Sequence, residues 1–155
     1  VELGNKVVKN LKTMGMSLKP CTVFTTGKES FEIADDEVEI GLGIHGEPGT
    51  HREKMTTANE FTEKLFEKVY AESNAQKGDR FAVLVNGLGE TTLIELFIIN
   101  NHLQDLLKGK EVGVAKTLVG NYMTSLDMGG FSITLLKLDK EMEELLNAEE
   151  DTIAF

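Results

Sequence analysis

The chain has 155 residues, 41% of them hydrophobic and 27% charged, which suits one globular domain able to bury a core. Its formal charge of −10 excludes a reader of nucleic-acid backbones, which needs a basic face, and favours an uncharged substrate over a free anionic one. The one cysteine, Cys21, excludes an intrachain disulfide framework and a multi-thiolate zinc site, and reads as a small buried apolar residue.

The apolar runs fall far short of a membrane span, and no basic segment leads into an apolar one, so a cytoplasmic protein is expected. Leu3, Val7, Val8 and Leu11 share one helical face from the first residues onward. The pattern starts without a capping residue, and the expectation is a piece of a longer chain. Beyond Gly15 and Pro20 the period changes. Val38, Ile40, Leu42 and Ile44 alternate with Glu37, Glu39, Gly41 and Gly43, which predicts a half-buried strand ended by His45-Gly46-Glu47-Pro48-Gly49. Thr57 and Glu60 have capping-box spacing, and Phe61, Leu65, Phe66, Val69 and Tyr70 follow on one face of a helix.

Lys77-Gly78-Asp79 reads as a loop, and residues 81–85 form a continuous apolar run expected to be a strand buried on both faces. Asn86-Gly87-Leu88-Gly89 turns into a third helix, with Thr92 and Glu95 at capping-box spacing and Leu93, Leu96, Phe97, Leu103, Leu106 and Leu107 as its apolar positions. Residues 112–119 and 131–138 read as strands joined by a loop from Gly120 to Gly130, and a short acidic helix spans about 141–147. Acidic clusters at 35–39 and 141–151 read as solvated surface, or as an interface for a basic partner. Interleaved strands and helices predict an α/β sheet with helices packed on it.

His45 is the first candidate for chemistry. Strand alternation would send it to the face opposite Ile44, beside Gly41 and Gly43, whose missing side chains would leave room for a small molecule. A neutral imidazole is a nucleophile near pH 7 and could add to a ketone carbon. The residues alone equally allow a strand-end histidine bonded to the following turn. His51 reads as surface and His102 as a helix margin. Neither has carboxylate or thiolate neighbours at metal-ligand spacing, so no protein-bound metal is expected. The Asn-Gly-Leu-Gly turn sits where phosphates dock, but it lacks a third glycine and a Walker lysine, so its glycines read as serving the turn. Asp127 has no serine–histidine arrangement near it and reads as satisfying backbone groups.

The literal strings go further than their spacing. Ile40-Gly41-Leu42-Gly43-Ile44-His45-Gly46-Glu47-Pro48-Gly49 resembles the motif around the substrate-binding histidine of dihydroxyacetone kinases. Val85-Asn86-Gly87-Leu88-Gly89, Leu93-Ile94-Glu95-Leu96, and the stretch from Gly120-Asn121-Tyr122-Met123-Thr124-Ser125-Leu126-Asp127-Met128 through Gly130 to Leu136 are similar to the same family in the same order. Thr13-Met14-Gly15, Cys21-Thr22-Val23 and Asp151-Thr152 also fit, so the resemblance spans essentially the whole chain. It departs at Phe24 and Thr92, where the family usually has proline, at Gly129, where it has alanine, and at Glu90, where it has a small residue.

The resemblance is to the C-terminal half of the substrate-binding K-type subunit. It implies a single two-layer α/β domain over residues 1–155, with a mixed β-sheet covered by helices. It implies that His45 captures the C2 carbonyl of dihydroxyacetone as a hemiaminal through Nε2. The remaining substrate contacts would lie in an N-terminal K domain that this sequence does not contain. The implied nucleotide, ATP or ADP with Mg, would sit on a partner L-type subunit or domain and not on this chain, the phosphoryl donor being ATP or a phosphoprotein that rephosphorylates bound ADP, and the assembly would be a homodimer. Paralogues of the family that bind dihydroxyacetone as transcriptional co-activators imply the alternative function.

Overall fold

A computed structural model describes residues 1–44 and 47–149. The described elements are α1 (Glu2–Asn10), β1 (Leu11–Lys19), β2 (Thr22–Val23), β3 (Lys28–Glu29), β4 (Glu37–Ile40), β5 (His51–Lys54), α2 (Ala58–Glu72), β6 (Arg80–Gly87), α3 (Leu93–Gly109), β7 (Gly113–Gly120), β8 (Gly129–Leu138) and α4 (Lys140–Leu146). Six strands form one sheet in the order β5-β4-β1-β8-β6-β7, and β2 pairs with β3 in a small hairpin. Only the β6–β7 pair is parallel among the described strands, with α3 as its crossover, so the sheet is mixed.

The two long helices start where local chemistry dictates. Glu60 N donates to Thr57 Oγ1 at 3.3 Å while Thr57 N donates back to Glu60 Oε2 at 3.1 Å, closing the expected capping box. At α3, Glu95 Oε2 accepts from Thr92 N at 2.8 Å and from Thr92 Oγ1 at 2.7 Å. Both helices lie on one face of the sheet. Phe61, Leu65, Phe66 and Val69 of α2 and Leu96, Ile99, Leu103 and Leu107 of α3 bury against Val83, Val85, Ile133 and Leu135 of the central strands. Leu93 and Phe97, expected on the apolar side of α3, are instead exposed with Ile94 and Ile98.

The opposite face is only partly covered. Phe81, Val83 and Val85 are buried, whereas Ala82 and Leu84 between them are half-buried. The expectation that residues 81–85 are buried on both faces therefore fails: their uniform apolarity hides a two-sided environment. The helix α1 buries none of its residues, and it meets α4 through Lys6, whose ammonium pairs with Asp139 and Glu141.

Three strands of the six-stranded sheet differ from the sequence reading, which also lacked the β2–β3 hairpin. β1 escaped it because Met14, Met16 and Leu18 alternate with Thr13, Gly15 and Ser17, residues of weak strand signature, directly after a helical pattern that ends at Leu11. β5 is a row of polar side chains, His51, Arg52, Glu53 and Lys54, as befits an edge that must not recruit another strand. β4 stops at Ile40, because Gly41 takes φ +80 and breaks the alternation that seemed to run to Ile44. No described helix is long and apolar enough to cross a membrane.

Phe66 is fully buried between α2 and the sheet, with its ring centroid 5.2 Å from that of Tyr70. Phe66→Ala is expected to lower the unfolding free energy by about 3–5 kcal/mol, measured by urea denaturation.

Candidate functional site

Three connecting segments meet at one end of the sheet: residues 41–50 after β4, 88–92 after β6, and 121–128 before β8. Each contributes one buried side chain to a small apolar cluster, Leu42, Leu88 and Met128, and Cys21 completes it. Cys21 is thus the buried residue expected, its thiol donating to Ser30 Oγ at 3.3 Å. Above this cluster a cavity of about 670 Å³ runs from the loops down the uncovered sheet face. Thr13, Ser132, Thr134 and Asn86 line it from the strands, and Ile44 and Met123 from the loops.

The 41–50 loop is pinned at both ends. Gly41 N donates to Gly15 O at 2.7 Å, tying its start to β1. At its end, Thr50 N and Thr50 Oγ1 both donate to Ile40 O, at 2.7 and 3.1 Å. Gly49 N donates to Glu39 Oε1 at 2.7 Å, and Arg52 Nε donates to Glu39 Oε2 at 3.2 Å. Glu39 is only 7% exposed, so its assignment to a solvated acidic cluster is wrong: strand pairing turns it inward, where a backbone N–H and a guanidinium satisfy it.

Gly41 and Gly43 line the cavity, and the glycines of this loop also serve its own packing. A Cβ on Gly43 would overlap the Glu47 carboxylate, and one on Gly49 would overlap Ile40 O. They allow the loop to close on itself. His45 lies outside the described residues, and β4 ends at Ile40, so the strand alternation used to orient it does not reach that far. Its described neighbours are Ile44, which lines the cavity, and Glu47, whose carbonyl accepts from Gly43 N at 3.3 Å.

The other two segments interlock. Asn86, 3% exposed at the end of β6, accepts from Tyr122 N at 2.9 Å and Met123 N at 2.8 Å, and its Nδ2 donates to Met123 O at 2.7 Å. Leu88 N and Glu90 N donate to Gly130 O and Met128 O, both at 3.1 Å. Buried Thr91 donates through Oγ1 to Gly130 O at 2.7 Å and accepts from Gly130 N at 2.9 Å. Leu88 N of the Asn-Gly-Leu-Gly turn and Glu90 N just after it are thus engaged with residues 128–130 and not turned toward a phosphate. A Cβ on Gly87 would overlap Asn121 Oδ1, and one on Gly89 would overlap Leu126 O.

Asp127 Oδ1 accepts from Thr22 N at 2.6 Å and ties the β2–β3 hairpin to this loop, the backbone role expected. That N–H holds its carboxyl below the usual carboxylate range, so the tie is complete at neutral pH and is lost only as acid titrates the lowered pKa. The other two histidines are elsewhere. His51 is exposed on β5, with Nδ1 3.0 Å from Thr50 Oγ1. His102 Nε2 lies 2.8 Å from Glu63 Oε1, linking α3 to α2 on the far side of the sheet. Among the described residues no group of three or more His, Cys, Asp or Glu is placed to hold a metal.

Two departures from the family pattern touch each other. Lys19 pairs with Glu90 across Gly129, where an added Cβ would lie 2.9 Å from Lys19 Cγ and 3.1 Å from Glu90 Oε2. The acidic residue at 90 and the glycine at 129 are thus neighbours in space, and an alanine methyl at 129 would crowd the ion pair.

The Dak1 domain model matches residues 1–154. The chain belongs to the Dak1 domain family. It is 48% identical, over 99% of its length and 47% of the relative's, to the dihydroxyacetone-binding subunit DhaK of PTS-dependent dihydroxyacetone kinase 1 from Listeria innocua. It is 40% identical to human triokinase/FMN cyclase, over 97% of this chain and 27% of that one. The chain therefore spans about half the length, or less, of these curated relatives. Among solved structures, the dihydroxyacetone kinase operon co-activator Dha-DhaQ superposes with a TM-score of 0.87 at 38% identity, covering 95% of this chain and 46% of that one. The C. freundii dihydroxyacetone kinase in complex with AMP-PNP and Mg2+ superposes with a TM-score of 0.75 at 28% identity, over 94% and 26%. The mixed α/β sheet covered by helices is the Dak1 fold.

Two variants test the loop architecture. Asn86→Ala removes one side chain that serves Tyr122 and Met123, and is expected to cost about 2–4 kcal/mol in urea denaturation, with faster hydrogen exchange at those two amides. Gly129→Ala is expected to destabilise the wild type by about 0.5–1 kcal/mol yet to be neutral or stabilising in a Glu90→Ala background, a coupling that a double-mutant cycle reads directly.

Proposed function

We propose that this chain is the ketone-capturing part of a dihydroxyacetone kinase, with His45 as the residue that binds the C2 carbonyl of dihydroxyacetone. The observation that carries the reading is convergence: the strings that resemble the family, around His45, Asn86 and residues 121–128, meet at one cavity through Leu42, Asn86, Leu88 and Met123. The similarity to dihydroxyacetone-binding subunits supports the substrate class.

In the proposed step the Nε2 lone pair of neutral His45 adds to C2. The carbonyl oxygen takes up a proton to become a hydroxyl, and the ring gives up its Nδ1 proton, leaving a neutral, reversible hemiaminal. Glycerol has no carbonyl and cannot be held in this way. Capture fixes a terminal hydroxyl for phosphoryl transfer, in which positioning supplies much of the rate. The nucleotide, ATP or ADP with Mg, would be held by a nucleotide-binding L-type subunit or domain, and the phosphoryl group would come from ATP or, where ADP is the bound coenzyme, from a phosphoprotein that rephosphorylates it. The full protein would be a cytoplasmic homodimer, carrying its remaining substrate contacts in an N-terminal K domain. The chain's charge of −10 suits a neutral ketose.

A second reading has a specific basis in the co-activator structure that superposes at a TM-score of 0.87: a dihydroxyacetone-binding module without kinase activity. Both readings require capture by His45. In the full-length protein supplied with its nucleotide-binding partner, His45→Ala is expected to lower dihydroxyacetone phosphorylation by at least about 100-fold. Undiminished turnover in that variant would sink the assignment. Ketone binding without turnover in the wild type would favour the co-activator.

A further inference from the structure

We infer that Glu39 is the positioning residue for ketone capture, acting through the loop that carries His45; the inference rests on the reading of His45 given above. Residues 41–50 leave β4 and return to β5, and the described contacts that hold their two ends together converge on residues 39 and 40. Ile40 offers its carbonyl to Thr50. Glu39 offers its carboxylate to Gly49 N at 2.7 Å, three residues after Gly46, and is itself anchored by Arg52 Nε at 3.2 Å on the neighbouring strand.

The packing leaves little alternative. Glu39 Cγ lies 2.8 Å from where a Cβ on Gly49 would stand, so the carboxylate stem and the loop backbone are in direct contact. At 7% exposure, a carboxylate that lost Gly49 N would find no ready supply of water, so carboxylate and loop end hold each other in one arrangement. Gly43 lies against Glu47 within the loop, and at its far end Gly49 and Thr50 are held by Glu39 and Ile40. A nucleophile on a loop must present its lone pair to the carbonyl within a narrow angle, and a displacement of about 1 Å at such a site can cost up to about 100-fold. Glu39 does not need to touch the substrate to have that effect.

The test uses the full-length protein and follows dihydroxyacetone binding through the ring NMR signals of labelled His45, with thermal unfolding measured beside it. Glu39→Asp withdraws the carboxylate by one methylene from Gly49 N and is expected to weaken capture by about 10-fold or more in the folded protein. Glu39→Gln keeps the length and an acceptor oxygen and is expected to restore capture to within about 3-fold of wild type. A role confined to stability would lower the unfolding temperature and leave the affinity of the folded molecules unmoved, and that result in Glu39→Asp overturns the inference. If Glu39→Asp does not fold, the double variant Glu39→Gln with Arg52→Gln decides: weakened capture supports the inference and wild-type capture overturns it. His45→Ala separates the two levels. Loss of binding there with unchanged binding in Glu39→Asp removes only the positioning role, whereas binding retained in His45→Ala removes the reading of His45 and this inference with it.

Discussion

Asn86 commits both heteroatoms of its side chain to one neighbouring segment, accepting from two successive amides and donating to a carbonyl, and the geometry of the whole loop end follows from that. A buried amide side chain has its lowest energy in the arrangement that satisfies both heteroatoms, the one in which its partners are in place. Because Asn86 stands at the end of a central strand, its position is fixed by pairing to both β8 and β7. Rigidity therefore passes from the ladder into residues 121–123 without a further element. Thr91 does the same for Gly130, and Leu42, Leu88 and Met128 close the apolar space between the segments. The loops at this end behave as an extension of the core, which a site requiring fixed atoms needs and a solvated turn could not supply.

What could be read in the sequence follows the same division between local and distant causes. Both capping boxes, the buried face of α2 and the strands near 81–85, 112–119 and 131–138 were legible, because their signals lie within a few residues of one another. β5 was illegible because an edge strand carries no hydrophobic period, and β1 because methionine, glycine and serine make a faint alternation. Glu39 looked like one more acidic surface residue beside Asp35 and Asp36. Its burial is decided by Arg52 and Gly49, which the chain reaches only after the loop, and no local pattern encodes that return. The cavity was legible only as a resemblance. The strings that resembled the family were far apart in the chain, and it is the sheet order that brings them together.

The glycines of the loop answer to more than the space that their spacing suggested, for Gly41 and Gly43 both line the cavity. Gly41 and Gly43 stood out as gaps beside an imidazole, yet Gly41 takes φ +80 and Gly43 lies against Glu47. Backbone geometry is a second cause. The distinction bears on the chemistry, because a loop that is glycine-rich for closure is constrained, whereas one that is glycine-rich for access would be loose. A constrained loop is the better support for a nucleophile that must add to a carbonyl along a defined direction.

The uncovered face of the sheet explains why covalent capture suits the proposed substrate. The cavity is walled by strands on one side and loops at its end, and a three-carbon ketose offers few atoms with which to gain affinity from such an open site. Hydrogen bonds alone would distinguish dihydroxyacetone from glycerol only by the difference between a carbonyl and a hydroxyl at one carbon. Water and the hydroxyls of Thr13, Ser132 and Thr134 could accommodate either group. A bond to C2 turns the same single difference into an all-or-none test, because only the carbonyl can form it. Reversibility then keeps the phosphorylated product from being trapped. On that argument the open site and the covalent step belong together: the less the cavity can enclose a small neutral molecule, the more of the selection must come from the chemistry of His45.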